Sequence, residues 1–81
     1  MTTVTIEREG YKVEGEVRAI STGPGIKPGL EVVESEEWIH DEQGFREAHG
    51  MEPTDENLRL VVSKEIDAIC DELIDAARED Y

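Results

Sequence analysis

Twenty-one carboxylates, two histidines and one cysteine are the side chains of this 81-residue chain that could do chemistry. Acid/base catalysis needs two carboxyl groups in different settings, one desolvated enough to stay protonated. The acids here crowd together, and no apolar stretch marks one pair over another. A nucleophilic Cys70 would need His40 or His49 beside it in an electropositive setting. It flanks an apolar stripe in an acidic segment instead, which should raise its pKa and leave it inert. His40, Asp41, His49 and Cys70 are zinc-ligand types, but His49 follows His40 by nine positions and Cys70 follows His49 by twenty-one, a spacing that matches no closed structural site. Asp41, Glu42, Gln43 and Gly44 supply the glycine turn of a calcium loop without its alternating oxygen ligands. Gly23, Gly25 and Gly29 are not spaced as a dinucleotide fingerprint, and a strand follows them where a helix would be needed. We therefore expect no catalytic residues, no metal and no cofactor.

The carboxylates carry more information as a surface. Against eight Lys and Arg they leave a net charge of −13. Residues 1–30 are balanced, four acids against four bases, so the entire excess lies after Leu30. Nucleic-acid backbones and anionic lipid surfaces are repelled by such a chain, so neither is expected as a direct partner. No signal-like leader opens the sequence and no apolar run is long enough to span a membrane. A single cysteine suits a reducing compartment, and a cytosolic setting is expected.

Local patterns define the elements that must position these charges. Val4 and Ile6 alternate with Thr3, Thr5 and Glu7; beyond Glu9-Gly10 the alternation resumes through Tyr11, Val13, Gly15, Val17 and Ala19. A two-residue turn at Glu9-Gly10 would place Arg8 opposite Tyr11, Glu7 opposite Lys12 and Ile6 opposite Val13. Residues 21–29 hold three glycines and two prolines and must be irregular, returning the chain to a third strand at residues 30–34. Residues 35–52 are ambiguous. Ser35 could cap a short helix sharing Trp38, Phe45 and Ala48 on one face, or Trp38, Ile39 and His40 could run extended to a turn at residues 41–44. Trp38 belongs in or at the edge of the core; exposed among Glu34, Glu36, Glu37 and Asp41, it would serve as an interface anchor.

From Pro53 and Thr54 or Asp55, a helix should run through Asp80 without Gly or Pro. Leu58, Val62, Ile66, Ile69, Leu73 and Ala76 form its apolar stripe, flanked by Val61, Cys70 and Ala77. The chain thus reads as one α+β domain over 1–81: a small antiparallel sheet of two or three strands within 1–34, an irregular or short helical stretch over 35–52, and a long acidic helix over 54–80 packed on the sheet. With nineteen Leu, Ile, Val and Phe, the core is thin.

Opposite the stripe, Asp67, Asp71 and Asp75 stand four apart, with Glu65, Glu72 and Glu79 in a second row. Like charges at this spacing cost an isolated helix about 0.2–0.5 kcal/mol per pair, and acids at the helix end oppose the macrodipole. Such rows keep a small protein dissolved, or they imitate the phosphate line of a nucleic-acid strand. The contacts for a basic partner would be Glu34, Glu36, Glu37, Asp41, Glu42, Asp67, Asp71, Glu72, Asp75 and Glu79.

The order strand, Glu9-Gly10 turn, strand, Gly23-Pro24-Gly25 loop with Pro28-Gly29, strand, and a long acidic helix ending Asp71-Glu72-Leu73-Ile74-Asp75-Ala76-Ala77-Arg78-Glu79-Asp80 resembles small acidic accessory proteins of bacteriophages and prophages. Anti-CRISPR proteins and other nucleic-acid mimics belong to that group. The resemblance lies in composition and element order across the whole chain, and no motif carries residue roles over. It implies a non-enzymatic inhibitor, acting in the bacterial cytosol, of a basic host protein that binds nucleic acid. The alternative expectation is a structural or assembly accessory that forms a homo-oligomer, a homodimer in the simplest case, through the sheet edge or exposed apolar residues.

Overall fold

The structure, a computed structural model, describes residues 1–20, Gly25 and 29–80. Three antiparallel strands, β1 (Thr2–Arg8), β2 (Tyr11–Ile20) and β3 (Gly29–Ile39), lie in the order β1-β2-β3. Helix α1 (Glu42–His49) and the 23-residue helix α2 (Asp55–Ala77) follow, and α2 tightens into a 3-10 turn at Arg78–Asp80. This is the expected α+β arrangement of a small sheet and a long C-terminal helix. Apart from Gly25 and Gly29, the irregular segment expected at residues 21–29 lies outside the described residues.

The first hairpin has the register its alternation dictates. Arg8 pairs with Tyr11, Glu7 with Lys12 and Ile6 with Val13. Glu9 and Gly10 both take positive φ, 38° and 95°, the signature of a type I′ turn whose twist matches the strands. Gly10 is required for a second reason: a Cβ there would lie 2.4 Å from the backbone nitrogen of Phe45. Its carbonyl accepts from the backbone N–H of His40 (3.1 Å) and of Asp41 (3.0 Å), which seats the start of α1 on the turn.

The third strand runs on to Ile39, five residues past its expected end, so Ser35 lies within a strand and caps nothing. Trp38 and Ile39 are extended, while residues 41–44 enter α1 directly. Asp41 is the N-cap, accepting from the Gly44 N–H at 3.1 Å, and Gly50 closes the helix in the left-handed conformation. β3 pairs with β2 from Tyr11↔Ile39 to Ile20↔Gly29, with a bulge where Glu16 faces Glu34 and Val17 faces Val32, leaving Val33 as the extra residue. Trp38 pairs with Lys12, on the sheet face away from the core, and is 39% exposed. The expectation that it lies in the core is corrected: strand pleating turns Trp38 outward because Ile39 takes the inward position beside Tyr11.

The core lies between one sheet face and the two helices: Tyr11, Val13 and Val17 from β2, Phe45 from α1, and Leu58, Val61, Val62, Ile69, Leu73 and Ala77 from α2. Val4, Ile6, Leu30, Val32, Ile39 and Met51 close its margins. Gly15 admits Leu73 against the middle of the sheet, where an added Cβ would lie 2.8 Å from a Leu73 methyl. Two of the expected stripe residues fall outside: Ile66 is 42% exposed and Ala76 is exposed, while Val61 and Ala77 are buried. Buried positions early in α2 centre on Leu58, Val61 and Val62; later ones follow steps of four through Ile69, Leu73 and Ala77. Each step of four advances about 40° around the helix, so the buried arc rotates along α2 as it crosses the twisted sheet. A straight stripe does not capture that drift.

Tyr11 is fully buried yet places its hydroxyl in a polar network. The hydroxyl donates to the Glu65 carboxylate at 2.8 Å and accepts from Arg8 Nε at 3.3 Å; Arg8 also pairs with Glu65 (3.5 Å) and Glu72. Burial first, and then the bond to Glu65, push its pKa up to about 12, against an opposing contribution from Arg8. An unfolded phenol ionises near 10, so the stability Tyr11 contributes is fully present below pH 10 and is lost as the pH rises toward 12. Chemical denaturation across about pH 8–11.5 should show that decline. In Tyr11→Phe it should be flattened, and stability at pH 7 should fall by about 1–3 kcal/mol.

Candidate acidic binding surface

Pleating sends alternate residues of every strand to the face that no helix covers. Two rows cross that face: Thr5, Glu14 and Glu36, then Thr3, Glu16 and Glu34. Glu14 stands directly opposite Glu36, and Glu16 directly opposite Glu34. The four carboxylates rise from the corners of a rectangle about 5 Å across the strands and about 7 Å along them. They line an open depression of about 110 Å³ together with Ser35. Among the described residues none of the four has an ion-pair or hydrogen-bonding side-chain partner. Among the described residues of that face, the cations sit at the ends: Lys12 between Glu7 and Trp38, and Arg18, whose partner is Glu31. Like charges placed directly opposite destabilise a sheet, and here this happens twice in adjacent rows.

The acids singled out from the sequence fall on several surfaces. Glu34 and Glu36 join Glu14 and Glu16 on the open sheet face. Glu37 pairs with the core residue Val13 and so lies on the helix side of β3. Asp41 is engaged as the α1 cap, Glu42 occupies the first turn of α1, and Glu72 is held by Arg8. Asp67, Asp71 and Asp75 line the exposed ridge of α2, on the side of the molecule opposite the open sheet face; Asp75 lies 3.6 Å from Arg78. Glu79 is exposed in the terminal 3-10 turn. Glu14 and Glu16 do not stand out in the sequence, because they belong to the first thirty residues, whose charge is balanced. The alternation of β2 already put them on one face; what was missing was the β3 register.

The remaining chemistry-bearing residues take structural places. His40 Nε2 is 2.6 Å from Glu7 and His49 Nε2 is 3.4 Å from Glu9. His49 also packs at 4.7 Å between ring centroids on Phe45 and at 6.1 Å on Tyr11. Among the described residues no group of three or more His, Cys, Asp or Glu is arranged to hold a metal ion, and no helix is long and apolar enough to cross a membrane. Comparison of the chain with protein-family models, with curated proteins and with solved structures returns no match.

Cys70 is half-buried on α2, and its thiol pKa is raised by burial first and then by Asp67 and Asp71. Iodoacetamide should therefore alkylate it more slowly at pH 7 than in the unfolded chain, followed by mass spectrometry. The opposed glutamates lead to a second expectation. Glu36→Gln should stabilise the fold by about 0.2–1 kcal/mol, and the gain should shrink between about 0.02 and 0.5 M NaCl as screening grows. Thermal unfolding at both salt concentrations tests it.

Proposed function

We propose that this protein is a non-enzymatic binding protein that inhibits a basic, nucleic-acid-binding protein by presenting acids where that partner expects phosphates. The observation that carries the reading is the pair of glutamate-on-glutamate contacts, Glu14 with Glu36 and Glu16 with Glu34, on an uncovered sheet face. Solubility alone needs carboxylates, but it does not need them opposed in the arrangement that costs the sheet most. A cationic partner would relieve that repulsion on binding, which converts an internal cost into affinity and steers association. Trp38, exposed beside Lys12 on the same face, supplies the aromatic anchor that interfaces favour. The ridge of Asp67, Asp71 and Asp75 is a second acidic surface facing the other way. The compositional likeness to phage-encoded inhibitors supports a bacterial host as the setting and a host defence complex, of the CRISPR kind, as the target class.

The test is capture from bacterial lysate on immobilised protein, eluted by a salt gradient. A basic protein should be retained, released by salt and displaced by competing duplex DNA. Glu34→Lys/Glu36→Lys should slow its association about tenfold or more and flatten the salt dependence. Asp67→Lys/Asp71→Lys should do the same to a smaller degree. Unchanged capture by a variant carrying all four lysines would defeat the proposal.

A further inference from the structure

A three-stranded sheet has two edges, and the two edges of this one differ in kind. β3 is blunted by Glu31, Glu34, Glu36 and Glu37 and by the bulge at Val33, devices that keep edges from pairing. β1 has none of them: it is regular over seven residues, without proline or bulge, and carries only Glu7 and Arg8 as charges. Both are already engaged, Glu7 by His40 and Arg8 by Glu65 and Glu72. In a two-residue hairpin Arg8 and Tyr11 exchange backbone hydrogen bonds, so Thr2, Val4, Ile6 and Arg8 turn their amides toward β2. Thr3, Thr5 and Glu7 therefore turn theirs outward, where no partner among the described residues meets them.

We propose that β1 pairs antiparallel with β1 of a second copy, about a two-fold axis at Thr5. That register sets Thr5 on Thr5, Val4 on Ile6, Thr3 on Glu7 and Thr2 on Arg8. All the outward N–H and C=O groups of Thr3, Thr5 and Glu7 are then satisfied, the half-buried Val4 and Ile6 gain an apolar neighbour, and no carboxylate faces another. The same register applied to β3 would oppose glutamates. A continuous six-stranded sheet results, with both helices on one face and both glutamate quartets on the other. α2 packs on β1 and β3 about equally and so is centred over β2; the two β2 strands would stand about 14 Å apart at the usual strand spacing, wider than the 8–10 Å at which helices touch, so the centres of the two α2 helices clear each other. The dimer does not depend on the proposed inhibition of a basic partner.

Sedimentation velocity on the full chain, from about 5 to 300 µM, decides it. Wild type should shift toward twice the 9.1 kDa monomer mass, and more readily at about 0.5 M than at 0.05 M NaCl, because salt screens the repulsion between two acidic copies. Capture of a basic protein has the opposite salt dependence, so failure of one leaves the other standing. Thr5→Pro removes only an outward donor, which edge strands tolerate; Thr5→Glu sets two carboxylates on the axis, each beside a Glu14. Both should remain monomeric at 300 µM, and in wild type the amides of Thr3, Thr5 and Glu7 should exchange at least about tenfold more slowly at high concentration than at low. The proposal is overturned by a wild-type monomer throughout, or by a dimer that Thr5→Glu leaves intact.

Discussion

One helix covering one sheet face is the constraint on which the rest of this molecule depends. With a single 23-residue helix as its main cover, the sheet can bury only one side, and Gly15 lets Leu73 press close enough to make that side a core. Strand pleating then fixes the chemistry of the other side with no further choice. Every residue next to a buried one in β2 must face water, and in this chain those residues are Lys12, Glu14, Glu16 and Arg18. Those four sum to zero, so an outward polar face is the unavoidable complement of the apolar one, and its net acidity comes from the glutamates with which β3 meets it.

Charge is handled differently on the two sides. Facing the helix, Glu65 and Glu72 converge on Arg8, and Tyr11 links them from beneath. There two acids share one cation, so the core margin keeps a single excess negative charge with both carboxylates engaged. On the open face the cations stand at the ends of the rows and leave the centre unmatched. The contrast within one small molecule sets the unmatched quartet apart from the engaged acids beside Arg8.

Much of this was legible in the sequence, for reasons that differ by element. The hairpin was readable because period-two alternation and a Glu-Gly turn constrain register locally. So was α2, through its Thr54 cap, acidic first turn and uninterrupted run. Ser35 and Gly44 misled: the first has the chemistry of a cap yet sits in a strand, and the second sits inside α1 despite its poor helix propensity. In both cases pairing with β2 and docking on the hairpin turn outweigh local preference. Ile66 shows the limit of periodicity, since the rotation of the buried arc comes from sheet twist. The glutamate quartet needed the bulge at Val33 and the pairing of strands separated by residues 21–28, neither of which follows from local pattern.

The Gly10 carbonyl receives two backbone bonds from the start of α1, while His49, at the end of the same helix, packs its ring on Tyr11 at 6.1 Å between centroids. Both ends of α1 thus bear on two consecutive residues, Gly10 and Tyr11. Peeling the helix away must break both ties nearly together, and loosening the turn must release the helix. α1 and the first turn therefore open and close as one cooperative unit, and local breathing of the molecule is set at that joint more than along either strand.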